Sequence, residues 1–387
     1  MDFDLTEEHN LTRQAVRDFA EKDIAPIAQE LDEREEFSVE LTQRMAELGL
    51  LGCFVSEKYG GSNMGYISYI IAVEELARVD ASQAATIAAG NSLGIGPIYY
   101  FGNEEQKEEW LPRLCAGECL AAFGLTEPEA GSDAGSSRSR AELEGNHWVI
   151  NGSKIFITNA ACPRTGVIVV QAVTGERGGG KTELSCFIVP KGALGLTARE
   201  MKGKMMWRAS NTGELFFDDC IVPEENLLGR KGDGLHQMLS TLDGGRLSIA
   251  AMGLGGSQGA FDLALEYANS RIQFGRPISS FQINAFKLAD MALEIEAARN
   301  FLYKACWLRE SGRPITKEAA MAKLLCSEVM QRCVHHSVQL HGGYGLLKDR
   351  RVERLYRDQR ILEIGEGTSE ILRIVIARHI GVSGKAI

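Results

Sequence analysis

The chain is 387 residues long, enough for two or three domains of about 100–200 residues each. Its composition, 44% hydrophobic and 24% charged, is that of a globular protein with a sizeable core, not of a disordered or fibrous one. A formal net charge of −10 disfavours nucleic-acid or anionic-membrane partners, and nine cysteines without a CxxC pair disfavour a zinc site.

Met1-Asp2-Phe3-Asp4 is acidic and begins no signal or transit peptide. No apolar run is long enough to cross a bilayer, and free thiols fit a reducing compartment. The expected location is cytoplasmic, with a trimmed mitochondrial form left open. Thr6-Glu7-Glu8, followed by Leu11, Val16 and Phe19, has the pattern of a capped amphipathic helix. Helices continue to about residue 120, punctuated by Pro26 and the Lys58-Tyr59-Gly60-Gly61 turn. Tyr66 to Arg78 carries another apolar stripe. Ala81 to Gly96 is dominated by small residues, which either pack closely or leave room for a ligand.

From residue 121 the period changes to that of strands. Trp148-Val149-Ile150, Asn151-Gly152 and Lys154 to Ile157 read as a hairpin with a two-residue turn. Val167 to Val173 and Leu184 to Val189 are further strands, separated by a glycine-rich loop at Gly175 to Lys181. Glu214 to Phe217 and Ile221 to Pro223 close a segment of short strands, a small sheet or barrel. After Gly232 helices return. Phe281 to Leu308 is apolar nearly all round, as suits a buried bundle helix, and Thr316 to Val334 is another. The order gives an α+β class in three domains: residues 1–120 helical, 121–232 a β-domain, 233–387 a helical bundle.

Several stretches carry residues with chemistry to offer. Phe123-Gly-Leu-Thr-Glu-Pro-Glu-Ala-Gly-Ser-Asp133 lies at the helix-to-strand boundary. Its hydroxyls and glycines suit a phosphate or a heterocycle edge, and equally a turn-rich linker. Lys154-Ile-Phe-Ile-Thr-Asn159 is in itself a plain strand end. Asp243-Gly-Gly-Arg246 offers an anion partner. In Arg271-Ile-Gln-Phe-Gly-Arg-Pro277, Arg271 can pair with a pyrophosphate and Phe274 can pack on a flat base. Gln339-Leu-His-Gly-Gly343 holds a histidine that is either catalytic or, with His335 and His336 nearby, a polar loop or core residue. Finally, Gly365-Glu366-Gly367-Thr368 sets one carboxylate between two glycines, with Leu362, Ile364, Ile371 and Leu372 around it. Desolvation there would raise the Glu366 pKa and make it a competent base near neutral pH; the alternative is an ordinary helix-loop-helix corner. Thr368 or Ser369 can cap the helix that follows, and Glu370 suits its positive end.

YRDQRILEIGEGTSEILR, residues 356–373, resembles the C-terminal signature of the acyl-CoA dehydrogenases, in which the Glu of EGT is the catalytic base. The resemblance covers essentially the whole chain, segment by segment and in order. It implies an N-terminal helical domain, a middle β-domain and a C-terminal four-helix bundle. FAD is the implied cofactor. Phe123, Leu125, Thr126 and Ser132 match the family's first flavin segment, with Ser132 also facing the substrate's nucleotide end. Phe156, Ile157 and Thr158 match the second segment, where an aromatic shields one flavin face and a Thr hydroxyl bonds the ring edge. The family's usual Trp is here Phe156, so the shield survives and an indole donor is lost. Arg271, Phe274 and Gln282 match the region that binds the adenine half of FAD from a neighbouring subunit. Gln339, Gly342 and Gly343 complete that site, and Thr368 and Glu370 fall among the matching cofactor positions. Asp243, Arg246 and Gly367 match the substrate contacts. Some members keep the base just before that Arg; here the position is Gly245, which leaves Glu366 as the candidate.

The implied reaction is α,β-dehydrogenation of an acyl-CoA. Glu366 takes the α-proton, the flavin takes the β-hydride, and the thioester oxygen bonds the Glu366 N–H and a ribityl hydroxyl. An electron-transfer flavoprotein as acceptor and a homotetramer are implied likewise. Related flavoenzymes (an acyl-CoA oxidase, a desulfinase, an enoyl-CoA reductase) and a catalytically silent acyl-CoA-binding protein are the alternatives. Straight-chain members commonly carry Tyr before the base; here it is Gly365. Glutaryl-CoA members have an Arg near the position of Ala84 in Ala84-Ala85-Thr86-Ile87-Ala88-Ala89. The acyl group expected is therefore short, without a distal carboxylate, and widened by a branch or ring. The alternative is that Tyr344 or a Met fills the gap and leaves a butyryl-sized pocket.

Overall fold

The structure, a computed structural model, describes residues 4–179 and 181–382. Met1 to Phe3 and Gly180 of the glycine-rich loop lie outside the described residues. Seven helices come first: α1 Glu7–Phe19, α2 Ala28–Arg34, α3 Val39–Glu47, α4 Gly65–Val79, α5 Ala81–Ala88, α6 Gly96–Phe101 and α7 Glu104–Cys115. The Thr6 hydroxyl caps α1 by accepting the His9 N–H. α4 has no polar face to speak of, and almost all of it is buried. Between α5 and α6 the chain widens into a π-helical stretch, Ala89–Ile95. Such turns interrupt regular bonding and tend to mark functional walls.

Eight strands follow: β1 Leu120–Gly124, β2 Arg140–Glu144, β3 His147–Thr158, β4 Thr165–Arg177, β5 Lys181–Pro190, β6 Leu196–Glu200, β7 Thr212–Pro223 and β8 Leu227–Leu228. They form one sheet in the order β6-β7-β3-β2-β4-β5-β8, with β1 parallel to β4. Several strands are longer than the sequence predicts, and β1, β2, β6 and β8 fall where it predicts none. β3 runs unbroken for 12 residues through Asn151-Gly152, so the predicted hairpin turn is a bulge in a continuous strand. Gly152 is needed there because any Cβ would run into Ser139. Asn151 hydrogen-bonds Asp219, on the bulged partner strand β7. The actual two-residue turn is Gly145-Asn146, between Glu144 and His147. Likewise Glu214 to Phe217 and Ile221 to Pro223 belong to the single strand β7, and Gly175 to Arg177 belong to β4. Trp148, Ile150, Phe187, Leu215 and Phe217 fill a separate core inside this region.

The last region is α8 Gly234–Ser270, the short ribbon β9 Ile272–Gln273 and β10 Arg276–Pro277, then α9 Gln282–Glu310, α10 Thr316–His341, α11 Arg351–Asp358 and α12 Ser369–His379. α8, 37 residues long, is the axis, packed on α4 and α10. The prediction of a fully buried helix at 281–308 is only half met. One stripe of α9, including Met291, Ile295, Ala298 and Leu302, is buried, whereas Ile283, Phe286 and Leu293 are exposed in the single chain. All nine cysteines are buried and unbridged. Among the described residues no helix is long and apolar enough to cross a membrane.

Candidate active site

Glu366 sits in the turn before α12 with φ 53°, followed by Gly367 at φ 100°. A non-glycine residue in the left-handed region is held there by its surroundings. Thr368 caps α12, its hydroxyl accepting the Ile371 N–H, as one of the two sequence options required. Arg246 Nε from α8 reaches the Glu366 carbonyl at 3.4 Å, and Lys323 Nζ from α10 donates to the Gly367 carbonyl at 2.7 Å. The carboxylate points inward. Its Oε2 is inaccessible to solvent and has no hydrogen-bond partner. Burial pushes the Glu366 pKa up to about 7, although Lys323 and Arg246 pull it down. The carboxylate occupies the space left by glycine at residue 245: a Cβ on α8 at that point would overlap Oε2 and force the side chain to shift.

Arg246 opens the other way, into a cleft of about 1160 Å³ between the sheet region and the helices. Asp243, Thr316, Ser132, Ser92 and Tyr100 are among its walls. Glu366 does not itself line the cleft; Arg246, which does, reaches its carbonyl. Asp243 is not a free anion. It accepts from Arg246 Nη1 at 2.8 Å and from the Thr316 hydroxyl at 2.5 Å, which fixes the guanidinium in place. Ala84, Ala85 and Ala88 pack in the core, so the close-packing reading applies to them. Ser92 and Gly96 are the part of this small-residue stretch that lines the cleft. Tyr344 is not a filler for Gly365, because it lies 5.8 Å beneath the Arg271 guanidinium, in a separate crevice.

On the sheet side Phe123 is buried at the end of β1, and Leu125 and Thr126 are half-buried. The Ile155 N–H donates to the Thr126 carbonyl at 2.9 Å, so the two predicted flavin segments lie side by side. β3 is irregular between Lys154 and Ile157, which turns Phe156 out of the sheet with φ 62° and leaves it 62% exposed. Ile157 faces the sheet core, leaving only its backbone for a ligand, and Thr158 is half-buried opposite Thr212. Beneath them lies an ion pair that sequence reasoning missed. Lys154 Nζ meets Glu127 Oε1 at 2.6 Å, both side chains buried. Ser137, Arg138 and Ser139 also donate to Glu127. Burial works to raise the Glu127 pKa, but Lys154 and these hydrogen bonds outweigh it and hold it at about 2.

Arg271, Gly342 and Gly343 come together in a second crevice of about 470 Å³, with Tyr267 and Tyr344. Phe274, Gln282 and Gln339 are exposed and do not line it; Phe274 is 93% exposed. His341 is a core histidine, stacked on Tyr267 at 4.4 Å with Nδ1 against the Ser337 carbonyl at 2.8 Å. Glu370 is exposed in the first turn of α12.

The chain matches the family descriptions "Acyl-CoA dehydrogenase, N-terminal domain" over residues 6–118, "middle domain" over 122–220 and "C-terminal domain" over 232–381. It is 50% identical over 380 residues to the Bacillus subtilis protein named Probable acyl-CoA dehydrogenase YngJ, covering 98% of this chain and 100% of that one. It is 46% identical, with the same coverage, to the short-chain-specific acyl-CoA dehydrogenase of Clostridium acetobutylicum. Acryloyl-CoA reductase (NADH) of Anaerotignum propionicum is 42% identical, covering 98% and 96%. Among solved structures, butyryl-CoA dehydrogenase from Megasphaera elsdenii superposes with a TM-score of 0.94 at 42% identity, covering 98% and 100%. A chain of the structure described as electron transferring flavoprotein of Acidaminococcus fermentans superposes with a TM-score of 0.95 at 43% identity, covering 99% and 100%.

Proposed function

The chain belongs to the acyl-CoA dehydrogenase family, and on that premise we propose that Glu366 is the base of its FAD-dependent acyl-CoA dehydrogenation. The observation that supports this most directly is the Glu366 carboxylate, whose Oε2 is buried without a hydrogen-bond partner and whose pKa is raised to about 7. A base of that strength is largely ionised at pH 7.5 yet pulls harder on a weakly acidic α-proton than an ordinary carboxylate. Arg246, anchored by Asp243 and Thr316, holds the base turn from the cleft side. In this reading the Glu366 N–H binds the thioester oxygen, Gly367 borders the thioester, and Ser132 meets the nucleotide end of the substrate.

The residues fit FAD. Phe156 is an exposed aromatic held in a conformation that its own packing does not require, and Thr158 stands two residues on. Phe123, Leu125, Thr126, Phe156, Ile157 and Thr158 would hold the flavin end. Arg271, Phe274, Gln282, Gln339, Gly342 and Gly343, with Thr368 and Glu370, would hold the remainder, in part across a subunit boundary. FAD supplies the acceptor for the β-hydride. Exposed Phe274, Ile283, Phe286 and Leu293 support the homotetramer, since apolar surface of this kind is usually covered. An electron-transfer flavoprotein is the proposed electron acceptor, and the domain division 1–120, 121–232 and 233–387 is the proposed working division.

Anaerobic titration of the yellow protein with a panel of acyl-CoAs tests this reading. Flavin bleaching by a short acyl-CoA is expected; a protein that binds FAD and is bleached by none of them would overturn it. The 42% identity to an acryloyl-CoA reductase favours a second reading, in which the same site works toward the saturated acyl-CoA. NADH-driven consumption of a short enoyl-CoA, in the presence of an electron-transfer flavoprotein, would select it.

Arg271→Ala is expected to weaken flavin retention and the oligomer together, because FAD that binds only the assembled native state stabilises it by mass action. Full flavin occupancy with an unchanged melting temperature would contradict this.

The proposed substrate is a short acyl-CoA widened by a branch or ring. A Cβ at Gly365 would make only ordinary contacts, with Ile361 at 3.5 and 3.6 Å, so a larger side chain can enter the space beside the base. Gly365→Tyr is expected to lower kcat/KM for isovaleryl- and cyclohexanecarboxyl-CoA much more than for butyryl-CoA. Equal effects on all three, with wild type preferring butyryl-CoA, would show a plain straight-chain pocket.

A further inference from the structure

Lys323 lies in the middle of α10 and is completely buried. Among the described residues its ammonium makes one hydrogen bond, to the Gly367 carbonyl, and has no carboxylate within ion-pair distance. A buried cation with so little compensation is expensive where a methionine or leucine would pack at no such cost. One turn further along the same helix face, the Ser327 hydroxyl is shared between the Lys323 carbonyl at 2.7 Å and the Leu362 carbonyl at 2.9 Å. Lys323 and Ser327 therefore hold the two ends of the segment 362–367, with Glu366 hanging between them. From the opposite side Arg246 reaches the Glu366 carbonyl.

We propose that Lys323 is a positioning residue for the base, fixing the left-handed Glu366-Gly367 turn through the Gly367 carbonyl and setting a buried ammonium beside that turn. This rests on Glu366 being the base. The charged groups facing Glu366 are Lys323 from α10 and Arg246 from α8, with the Tyr69 phenol from α4 also near. Those facing Lys323 are Glu366 and Arg246, and then Glu363 and Glu370 at the two ends of the turn. Burial lowers the Lys323 pKa to about 8, and Glu366 is the largest influence opposing that. Around pH 7.5 the ammonium and the carboxylate thus sustain each other.

The test uses the FAD-loaded full chain as wild type, Lys323→Met, Lys323→Arg and Glu366→Gln. In single turnover, the midpoint of the pH–bleaching profile should move up by about 1 on the pH scale in Lys323→Met, since an opposite charge nearby lowers a carboxyl pKa by about 1–3. Lys323→Arg keeps the charge and should hold the midpoint, with a lower plateau if the longer fork shifts the turn. An independent readout is the infrared band of the protonated carboxyl, with Glu366→Gln as blank; its titration should shift in the same direction in Lys323→Met. If the band and the profile stay where they are in wild type, the inference is wrong even though Glu366→Gln is inactive. If Glu366→Gln turns over normally, the base assignment itself fails. Should Lys323→Met not fold, an unchanged plateau and midpoint in a folded Lys323→Gln would equally overturn the proposal.

Discussion

Glu366→Gln should retain FAD and the native assembly while substrate bleaching falls by about 10²–10⁴-fold, the usual contribution of a positioned base. The amide keeps the shape of the carboxylate and cannot take a proton. Wild-type bleaching should itself rise with pH through about 7, where Glu366 ionises. The same substitution should stabilise the protein, and the sign follows from linkage. An unfolded glutamate ionises near pH 4.3, whereas the native Glu366 holds its proton up to about 7. Stability is therefore fully present below about pH 4 and is lost as pH rises through 7. Gln cannot ionise and escapes that loss. At pH 8 the variant should gain on wild type by roughly 4 kcal/mol, because each tenfold difference in proton affinity between the native and unfolded carboxyl is worth about 1.4 kcal/mol, and the gap should close toward pH 4. Near-normal turnover would sink the assignment of the base; a pH-independent stability difference would sink the account of its environment.

Much of this site was legible in the sequence because it is built from contiguous segments. Glu366 between two glycines and Thr368 as helix cap are local patterns whose consequences are local, whereas Gly245 on α8 is set opposite Glu366 only by the fold, and the family resemblance was what pointed to it. The strand region was read less well. Asn151-Gly152 has the chemistry of a turn, but β7 supplies a partner along all of β3, and the same residues make a bulge instead. Pairing with a strand some 60 residues away overrides the local preference. The buried ends of Lys154 and Lys323 were missed for a related reason. A lysine at a strand end reads as solvated, and only the fold brings Glu127 beneath it. Lys323 did leave a trace, a single charge in the apolar run Ala319 to Leu325, of the kind that marks a buried cation with a task. The exposed stripe of α9 shows the converse: an apolar helix signals burial, but not against which chain.

Lys154→Met is expected to destabilise the protein by about 3–5 kcal/mol, toward the lower end, and to loosen FAD at the same time. The partner left behind is Glu127, buried and ionised, and removing one member of such a pair strands the other. Ser137, Arg138 and Ser139 continue to donate to it, which softens the loss. The flavin effect arises because Lys154 also donates to the Leu125 carbonyl at 3.3 Å and stands next to Ile155, whose N–H bonds Thr126. The pair thus pins the segment 123–139 against the strand that presents Phe156 and Thr158. The pH dependence has a definite sign. In wild type the Glu127 pKa is depressed to about 2, so its stabilising contribution is present above the unfolded value, near 4.3, and fades as pH falls toward 2. Lys154→Met removes much of that depression. The stability gap between the two proteins should therefore be widest at neutral pH and narrow below about pH 4. Adding Glu127→Gln to Lys154→Met should recover part of the loss at pH 7, since no buried charge is then left unpaired. Urea unfolding of the three proteins at pH 7 and pH 4, with FAD affinity measured alongside, decides the matter. A single variant as stable as wild type at pH 7 would show that the pair contributes nothing net, and unaltered FAD affinity in a destabilised variant would separate the pair from the cofactor.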